Sequence, residues 1–370
     1  MSSAERGNLT DVVLTCGGTG GHVSPAVAIA SEIARRHEGV ALSFIVRPDS
    51  YESRALGQAG YELDLLSVGR LVGQSVTRTL KTLVGLPLAV LSARKMLRRR
   101  RPQVVIGTGG FVSGPAMLAA ALSGFPTLVH EQNAVAGLTN RVLAKVVSKV
   151  ALSHPRASAP SKMTLTGNPV RPEFFSIAPW EERTPFRLLI MGGSQGAVAL
   201  NRTVLAAAPL LADLEGRLEI VWQCGQRHGD AMRAEAERLG VSLLHVRPFL
   251  DDVAEELERA QLVACRAGAS TVSEICAAGR PSILVPFPAA AGDHQTANAK
   301  AMEEAGAAEL RPESELTPEW LAQRVRALVE DPTPLSVMAQ AASQLARPDA
   351  AGDIADLAEA IARPMERRAA

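Results

Sequence analysis

The chain of 370 residues is long enough for two domains, and its composition, 47% hydrophobic and 21% charged, is that of an ordinary globular protein. Its four cysteines occur without a CxxC spacing, which argues against disulfides and against a cysteine-based metal site. The polar N-terminus does not resemble a signal peptide, and glycines and prolines interrupt the longest charge-free span, residues 102–129. We therefore expect a soluble or peripheral protein in the cytoplasm.

The first predicted elements are a strand at residues 12–15, a glycine-rich turn at 16–25 and a helix at 26–37. This order opens many nucleotide-binding α/β folds. The turn, CGGTGGHVSP, is neither GxGxxG nor a Walker A motif, so a dinucleotide or ATP is disfavoured. A tight structural turn without any ligand explains the glycines nearly as well.

A long helical tract is predicted next, after a strand at 41–46, a helix at 50–59 and a strand at 63–68. It covers residues 77–100, and we expect an interruption at the Gly-Leu-Pro sequence of residues 85–87 because proline disrupts helix interiors.

Positive charge is concentrated in and around this tract. The first 165 residues carry 19 Lys and Arg against nine Asp and Glu, whereas the remainder carries 20 against 29. No acidic residue lies between Asp64 and Glu131, while nine basic residues fall between Arg70 and Arg101. Such a block predicts an anionic partner for the first half: lipid head groups, a pyrophosphate or nucleic acid.

Leucines accompany the basic residues Arg78, Lys81, Arg94 and Lys95 of the tract, a combination typical of a helix in a membrane interface. A packed surface helix with a solvated basic face is the structural alternative. Nucleic acid is disfavoured because aromatic residues do not alternate with the charges.

A second glycine-rich turn, residues 107–115, follows a predicted strand at 104–106 and repeats the TGG sequence, valine, serine and proline of the first. A strand at 127–129 then leads into the sequence HEQN, residues 130–133. Because loops at the C-terminal ends of parallel strands face one edge of a sheet, we expect these segments to form a site there. A buried structural network is the alternative for the HEQN residues.

The pattern restarts after the turn-rich residues 167–186, which we interpret as an interdomain linker. A strand at 187–191 and a third glycine turn at 192–196 open the second half. Helices are predicted at 197–211 and 253–259, and the last residues are also helical. Strands are predicted at 218–223, 243–246, 262–264, 282–286 and 307–310. The repeated βα units predict an α/β protein with two Rossmann-like domains facing a central cleft.

The residues 265–274 combine small side chains with a helix start that we place at residue 272. The N–H groups of a helix N-terminus bind anions, and the Glu274 carboxylate can accept two hydrogen bonds from a ribose diol. Gln295 and Asn298 lie three residues apart and share a helix face. Phosphate donors, a diol acceptor and two amides predict a nucleotide-sugar pocket.

Taken together, the motifs CGGTGGHVSP, GTGGFVSGP, HEQNAVAGLTN, GNPVR, GGSQGA, RPFLDD, CRAGASTVSE and HQTAN resemble the MurG family, inverting GT-B glycosyltransferases of family 28. The resemblance spans residues 16–298. It implies transfer of N-acetylglucosamine (GlcNAc) from UDP-GlcNAc to the 4-hydroxyl of N-acetylmuramate (MurNAc) in undecaprenyl-pyrophosphoryl-MurNAc-pentapeptide, lipid I. The product is lipid II, for peptidoglycan synthesis.

The resemblance also implies the residues of the site. The UDP-GlcNAc-binding residues would be Thr19, Gly20, Gly21, Asn133, Arg171, Ser194, Leu250, Ala269, Ser270, Thr271, Val272, Ser273, Glu274, Gln295 and Asn298. Backbone N–H groups of residues 269–271, with Ser194 and Arg171, would meet the phosphates, and Glu274 the ribose. Leu250 would contact uracil through its backbone, with Phe249 nearby. Gln295 and Asn298 would meet the sugar, and the acceptor would lie near Gly109, Gly110 and Phe111.

Two positions depart from the family pattern. Phe111 stands where tyrosine is more common, which removes a hydroxyl, and His294 stands where a second glutamine often precedes Gln295. His22 is the first candidate for the catalytic base because it ends the first glycine turn, with binding of the acceptor pyrophosphate or capping of the turn as rival roles. Glu131 is the second candidate, with orientation of Asn133 as its alternative.

The predicted domains are an acceptor and membrane-docking domain at 1–166, the linker at 167–186, a UDP-GlcNAc domain at 187–345 and a helical segment at 346–370 that packs back on the first domain. We expect no cofactor and no bound metal. Expected partners are the lipid acceptor, an anionic membrane at its cytoplasmic face, and cell-wall and division proteins. The alternatives are a GT-B transferase for another acceptor, a UDP-GlcNAc epimerase, or a non-catalytic subunit that binds a sugar nucleotide.

Overall fold

The computed structural model describes residues 8–17, 20–69, 76–155, 160–193 and 196–364, without side-chain detail at Gly20, residues 76–84 and Ala291. Thr19 and Ser194 of the predicted site therefore lie outside the described residues. The chain folds as two compact units. Unit 1 comprises the chain up to Val170 and again from Arg347, and unit 2 comprises Arg171–Ala346.

Unit 1 contains a seven-stranded sheet in the order β3-β2-β1-β4-β5-β6-β7, with all neighbouring strands parallel. The strands are β1 Asp11–Cys16, β2 Ala41–Val46, β3 Glu62–Leu65, β4 Val104–Gly109, β5 Thr127–Glu131, β6 Lys149–Leu152 and β7 Met163–Leu165. The helices are α1 Gly20–Arg36, α2 Tyr51–Gln58, α3 Val76–Arg100, α4 Ser113–Leu122 and α5 Leu138–Leu143.

Residues of β1 alternate between two cores, one on each face of the sheet. Val12 and Leu14 pack in the core that contains Ile29 of α1 and Ile354 of the C-terminal helix α13, Ala350–Ile361. Val13 packs in the other core, with α3 and α4. Because both faces are covered, the strand is apolar throughout rather than alternating, as a parallel sheet requires.

Unit 2 contains a six-stranded parallel sheet in the order β10-β9-β8-β11-β12-β13. Its strands are β8 Phe186–Met191, β9 Leu218–Gln223, β10 Leu244–Arg247, β11 Leu262–Cys265, β12 Ser282–Leu284 and β13 Glu309–Leu310. Its helices are α6 Val198–Ala207, α7 Gly229–Leu239, α8 Val253–Arg259, α9 Ala269–Ala278, α10 His294–Glu304, α11 Pro318–Glu330 and α12 Thr333–Gln344, and 3₁₀ turns cover Pro172–Ser176, Ala208–Leu214, Ala291–Asp293 and Glu313–Glu315.

The two sheets share one topology, since the first six strands of each unit take the Rossmann order 3-2-1-4-5-6. The prediction of two Rossmann-like α/β units is confirmed.

Several predicted boundaries were wrong. α1 begins at Gly20, six residues earlier than predicted, and α9 begins at Ala269, three residues earlier. The first turn of a helix needs no intrahelical acceptors for its N–H groups, so glycine and other small residues can occupy it. α5 and α7 were not predicted.

The predicted interruption of the basic tract was also wrong, because α3 is continuous through Pro87. Pro87 is exposed, while Ala89, Ala93 and Leu97 lie in the core of unit 1. Packing of this buried face offsets the single hydrogen bond that a proline removes from a helix.

Candidate functional site

The strand order reverses at one place in each sheet, between β1 and β4 in unit 1 and between β8 and β11 in unit 2. In doubly wound sheets, ligands bind outside the C-terminal ends of the strands at such points. The glycine turns after β1 and β4, and those after β8 and β11, stand at these two positions. The topology thus gives each unit one candidate binding site.

In unit 1 the two glycine turns touch each other. The N–H of Gly17 donates to the carbonyl of Gly109 at 3.1 Å. Gly110 has φ +89, and a Cβ there would lie 1.9 Å from the carbonyl oxygen of Gly17. The prediction that both turns share an edge of the sheet is confirmed, and only glycine fits at Gly110.

His22 is the third residue of α1, after Gly20 and Gly21, and lies beside the second glycine turn. A Cβ on Gly109 would lie 3.2 Å from Cδ2 and Nε2 of the His22 ring. The His22 carbonyl accepts a hydrogen bond from the Thr108 hydroxyl at 2.7 Å. The half-buried Phe111 follows the same turn, so the predicted acceptor residues are together at this edge.

Glu131 is 2% exposed, and its carboxylate is surrounded by donors. One oxygen accepts from the backbone N–H of Asn133 at 3.0 Å and from its side-chain amide at 3.1 Å. The other accepts from the N–H of Gly137 at 3.1 Å and the amide of Asn140 at 2.9 Å. Four hydrogen bonds occupy both oxygens of the carboxylate, and these contacts favour the orienting role over the role of base.

His130 lies beside Glu131 and is completely buried. Burial lowers the pKa of His130 to about 4, so the ring is neutral at pH 7. Its Nε2 lies 3.1 Å from the carbonyl of Gly167, to which a neutral ring donates, and 3.1 Å from the hydroxyl of Ser153. These contacts give His130 a structural role in the HEQN segment.

In unit 2 the start of α9 forms a candidate anion site. Its N-cap residue, Gly268, provides no capping side chain. The predicted phosphate-binding residues Ala269, Ser270 and Thr271 form the first turn of the helix itself, where N–H groups point away from the helix body. Val272 is buried, and the Ser273 hydroxyl donates to the carbonyl of Ala269 at 2.9 Å, so these two residues stabilise the turn.

Glu274 lies in the second turn of α9, whereas the predicted helix start at residue 272 placed it in the first turn. Burial raises the pKa of Glu274 to about 7, an effect that nearby Glu173 reinforces and Arg171 opposes. Arg171 precedes the 3₁₀ turn Pro172–Ser176, which packs against α9. The structure therefore brings Arg171 and Glu274, predicted from distant motifs, to one site.

Arg171 is exposed and forms an ion pair with Glu173 at 2.8 Å. Its guanidinium also lies over the ring of Phe174, 5.0 Å from the ring centroid. An exposed ion pair is worth little, so a phosphate group can replace Glu173 as the partner of Arg171.

The two predicted sugar-binding amides have different environments. The side-chain oxygen of Gln295 accepts a hydrogen bond from the backbone N–H of Phe287 at 2.9 Å. Because this bond occupies the oxygen, the NH₂ group of Gln295 is the part of the amide that can donate to a ligand. Asn298 is 0% exposed and its amide donates to the carbonyl of Ala267 at 3.1 Å. Asn298 thus holds the turn that precedes α9, and its contact with the sugar stays a prediction.

Leu250 lies between β10 and α8 with its side chain buried, which is compatible with the predicted contact between its backbone and uracil. Phe249 is exposed beside it. Asp252 caps α8 by accepting the N–H of Glu255 at 3.0 Å. His294, the departure from the family pattern, is the first residue of α10.

Arg266 was not predicted as a site residue, although it is the one charged residue in the turn of small residues after β11. It donates to the carbonyls of Val285 and Pro286 at 3.2 Å, and it pairs with Glu313. Arg266 thereby fixes the backbone next to Phe287, which in turn orients Gln295.

Within the part of the chain that the structure describes, no group of three or more His, Cys, Asp or Glu residues is arranged to hold a metal ion. Among the same residues, no helix has the length and apolar character needed to cross a bilayer.

Comparison with known families matches both units. The glycosyltransferase family 28 N-terminal domain matches residues 12–152, and the glycosyltransferase family 28 C-terminal domain matches residues 187–354. The chain is 42% identical to a protein of Syntrophus aciditrophicus, over 95% of this chain and 99% of that protein. It is 41% identical to one of Aeromonas hydrophila, over 95% and 97%. Both relatives are named UDP-N-acetylglucosamine--N-acetylmuramyl-(pentapeptide) pyrophosphoryl-undecaprenol N-acetylglucosamine transferase.

Solved structures agree with this assignment. The crystal structure of Acinetobacter baumannii MurG has a TM-score of 0.79 and 36% identity, with 95% of this chain and 99% of that chain covered. The glycosyltransferase of kitacinnamycin and a UDP-N-acetylglucosamine 2-epimerase have TM-scores of 0.71 and 0.64 at 18% and 13% identity, over 96% and 94% of this chain and 98% and 95% of theirs. These two share the fold alone.

Proposed function

The chain belongs to glycosyltransferase family 28, and we propose on that basis that it transfers GlcNAc from UDP-GlcNAc to the MurNAc 4-hydroxyl of undecaprenyl-pyrophosphoryl-MurNAc-pentapeptide. The observation that carries the proposal is identity above 40% with relatives named for this reaction, over nearly the whole of both chains. The product, lipid II, is a precursor for peptidoglycan, on which bacterial cell shape and division depend.

Unit 2 holds the donor. The first turn of α9 and Arg171 provide positive potential for the two phosphates. The carboxylate of Glu274 accepts hydrogen bonds from the ribose hydroxyls. The backbone of Leu250 meets uracil, and Gln295 donates to the sugar. The contact between Arg171 and Glu173 supports this arrangement, because it shows that the guanidinium accepts an anionic partner at this position.

Unit 1 holds the acceptor at its two glycine turns, and His22 is the general base. The 4-hydroxyl oxygen of MurNAc attacks the anomeric carbon of GlcNAc while its proton passes to the His22 imidazole. The bond between the anomeric carbon and the phosphate oxygen breaks, and UDP leaves with the bonding electron pair. Attack opposite the leaving group inverts the anomeric configuration.

The departing diphosphate gains negative charge in the transition state. N–H groups at the start of α9 and the guanidinium of Arg171 stabilise that charge in place of a metal ion. The enzyme is therefore proposed to work without a metal, and activity is expected to persist in EDTA.

Unit 1 is also proposed to dock on an anionic membrane surface at its cytoplasmic face, where the lipid-linked acceptor resides. On α3, Leu88 is 68% exposed and Leu91 is 59% exposed, close in sequence to Arg94 and Lys95. Apolar side chains with cations nearby suit a membrane interface.

Part of the basic tract is neutralised within unit 1. Arg99 forms an ion pair with Asp64 at 2.6 Å. Arg100 forms one ion pair with Asp64 and a second, at 2.8 Å, with Glu62. The count of nine basic residues in the sequence therefore overstates the positive charge that the tract can offer to a membrane.

A transfer assay tests the proposed function. Radiolabelled UDP-GlcNAc is incubated with lipid I, with a different glycolipid acceptor, and without acceptor, each with and without EDTA. We expect label in a lipid product only with lipid I, and equal yields with EDTA. Transfer to the other acceptor alone would identify a different transferase, and isomerisation of UDP-GlcNAc without acceptor would identify an epimerase.

A further inference from the structure

Arg280 is a large buried side chain, 1% exposed, that follows α9 and precedes β12. Its guanidinium donates to five backbone carbonyls. Nε donates to Leu257 at 2.7 Å, Nη1 to Ala278 at 2.8 Å and Gly279 at 3.4 Å, and Nη2 to Ala178 at 2.9 Å and Glu258 at 3.3 Å. A guanidinium has five N–H groups, so each can serve one of these carbonyls.

Four of these carbonyls belong to helix ends. Leu257 and Glu258 lie in the last turn of α8, and Ala278 and Gly279 end α9. The last carbonyls of a helix lack intrahelical donors and carry partial negative charge, which a buried cation satisfies. Burial lowers the pKa of Arg280 to about 10, so the cation persists at pH 7.

The fifth carbonyl, that of Ala178, belongs to a different part of unit 2. It lies two residues after the 3₁₀ turn Pro172–Ser176, whose N-cap residue is Arg171. Gln261 fixes the following residues, since its amide donates to the carbonyl of Glu181 at 2.8 Å and its oxygen accepts the N–H of Arg183 at 3.1 Å. Arg280 and Gln261 thus bind residues 178–183 to the rest of unit 2.

Two charged groups of the donor site are carried by the elements that Arg280 joins. Glu274 and the phosphate-binding turn belong to α9, and Arg171 belongs to the segment that continues to Ala178. A displacement of α9 along its axis would move Glu274 relative to Arg171, and a nucleoside diphosphate must meet both at once. The hydrogen bonds of Arg280 resist that displacement.

We propose that Arg280 is a positioning residue for nucleoside diphosphate binding: by joining the end of α9 to Ala178, it sets the separation of Glu274 and Arg171. The inference rests on the proposed donor site in unit 2. It assigns a ligand-binding consequence to a residue that cannot itself touch the ligand.

The test compares UDP binding by calorimetry in the full chain and in Arg280→Met, which keeps an unbranched apolar stem but removes the donors of the guanidinium. Leu321→Ala is the control, because Leu321 is buried in unit 2 on α11 and its loss costs stability by creating a cavity. We expect Kd for UDP to rise about tenfold in Arg280→Met, which is about 1.4 kcal/mol, and to stay within about twofold in Leu321→Ala at a similar loss of Tm.

Steady-state kinetics give a second measurement that a loss of stability alone would not change. KM for UDP-GlcNAc should rise in Arg280→Met while KM for the lipid acceptor stays at the parental value. Arg280→Lys keeps the charge with at most three donors, and it should give an intermediate Kd; it carries the test if Arg280→Met does not fold. A folded Arg280 variant with the parental Kd would overturn the inference. Failure of the parent to bind UDP would instead contradict the proposed donor site.

Discussion

The Thr108 hydroxyl donates a hydrogen bond to the main-chain carbonyl of His22 at 2.7 Å, and thereby joins β4 to the first turn of α1. The carbonyl of Thr108 in turn accepts from the side-chain amide of Gln132, which follows β5. Three neighbouring segments of the unit 1 sheet therefore determine where His22 stands. We infer that its position depends on Thr108 as well as on its own helix.

The first prediction separates the chemistry of His22 from its positioning. His22→Ala should lower kcat by about 10²–10⁴-fold, the usual contribution of a general base. Thr108→Val should lower kcat by about tenfold and cost about 1 kcal/mol of stability, because one buried hydrogen bond is lost. Neither change should alter KM for UDP-GlcNAc. A raised KM for the lipid acceptor with kcat retained would assign His22 to acceptor binding instead.

The second prediction concerns the carboxylate of Glu274. Glu274→Ala should weaken UDP binding by about 2–3 kcal/mol, the range for hydrogen bonds to a charged group. Glu173→Ala is the matched control, since it removes a neighbouring acid that is expected to compete with phosphate for Arg171. Calorimetry should show weaker binding only in the first variant, and unchanged UDP affinity in a folded Glu274→Ala protein would refute the ribose contact.

The third prediction is a pH dependence of donor binding and stability. The pKa of Glu274 is raised from 4.5 to about 7, so the folded protein keeps a proton that the unfolded chain loses between these values. The free energy of unfolding should therefore fall as pH rises from 4.5 to 7, by about 2 kcal/mol, since part of the side chain remains in water.

Because ribose hydroxyls bind the ionised form, UDP affinity should rise from pH 6 to pH 8, with proton release on binding near pH 7. Glu274→Gln should remove both effects. Equal UDP affinity at pH 6 and pH 8 in the parent would show that the carboxylate does not bind the ribose.

The fourth prediction tests the contact of the two glycine turns in unit 1. Gly110→Ala should cost more than about 3 kcal/mol, because the added Cβ would meet the carbonyl oxygen of Gly17 as well as suffer a positive φ. Gly60, with φ +83 and no atom within 4 Å of an added Cβ, is the control, and Gly60→Ala should cost only about 1 kcal/mol. Chemical denaturation measures both. Similar losses in the two variants would mean that the turns separate easily.

The fifth prediction concerns the membrane. Changing Arg78, Lys81, Arg94 and Lys95 together to Gln should reduce sedimentation with anionic vesicles, since each cation near such a surface contributes about 1 kcal/mol. Raised salt should have the same effect. Four exposed arginines of unit 2 give a control of equal charge, changed likewise to Gln: Arg202, Arg217, Arg233 and Arg247.

Activity on a short-chain soluble acceptor should survive in both of these proteins. If the α3 variant sediments as well as the parent, or no less than the unit 2 control, the basic tract is a solvated surface.

The backbone arrangement was largely determined by local sequence. Runs such as Val12-Val13-Leu14, apolar on both faces, predict buried parallel strands, and the glycine turns that follow them mark the strand ends. The order of strands then requires that these turns meet, as Gly17 and Gly109 do. The family was recognised from the same motifs. In them, the end of a strand is followed by residue types that are needed either to bind a ligand or to form a tight turn.

Only the tertiary structure decided which polar side chains are free for a ligand. Asn298 and Gln295 share a helix face in the sequence, yet Asn298 is buried on Ala267, 31 residues away, while Gln295 is directed by Phe287. Glu131 likewise has its oxygens satisfied by backbone N–H groups and asparagine amides, and Arg280 has its donors satisfied by backbone carbonyls. The spacing of residues in the sequence predicts which face of a helix a side chain lies on. Its hydrogen-bond partner, however, comes from a distant part of the chain. A polar side chain that is buried against such a partner binds that partner, and one that stays accessible can bind a ligand.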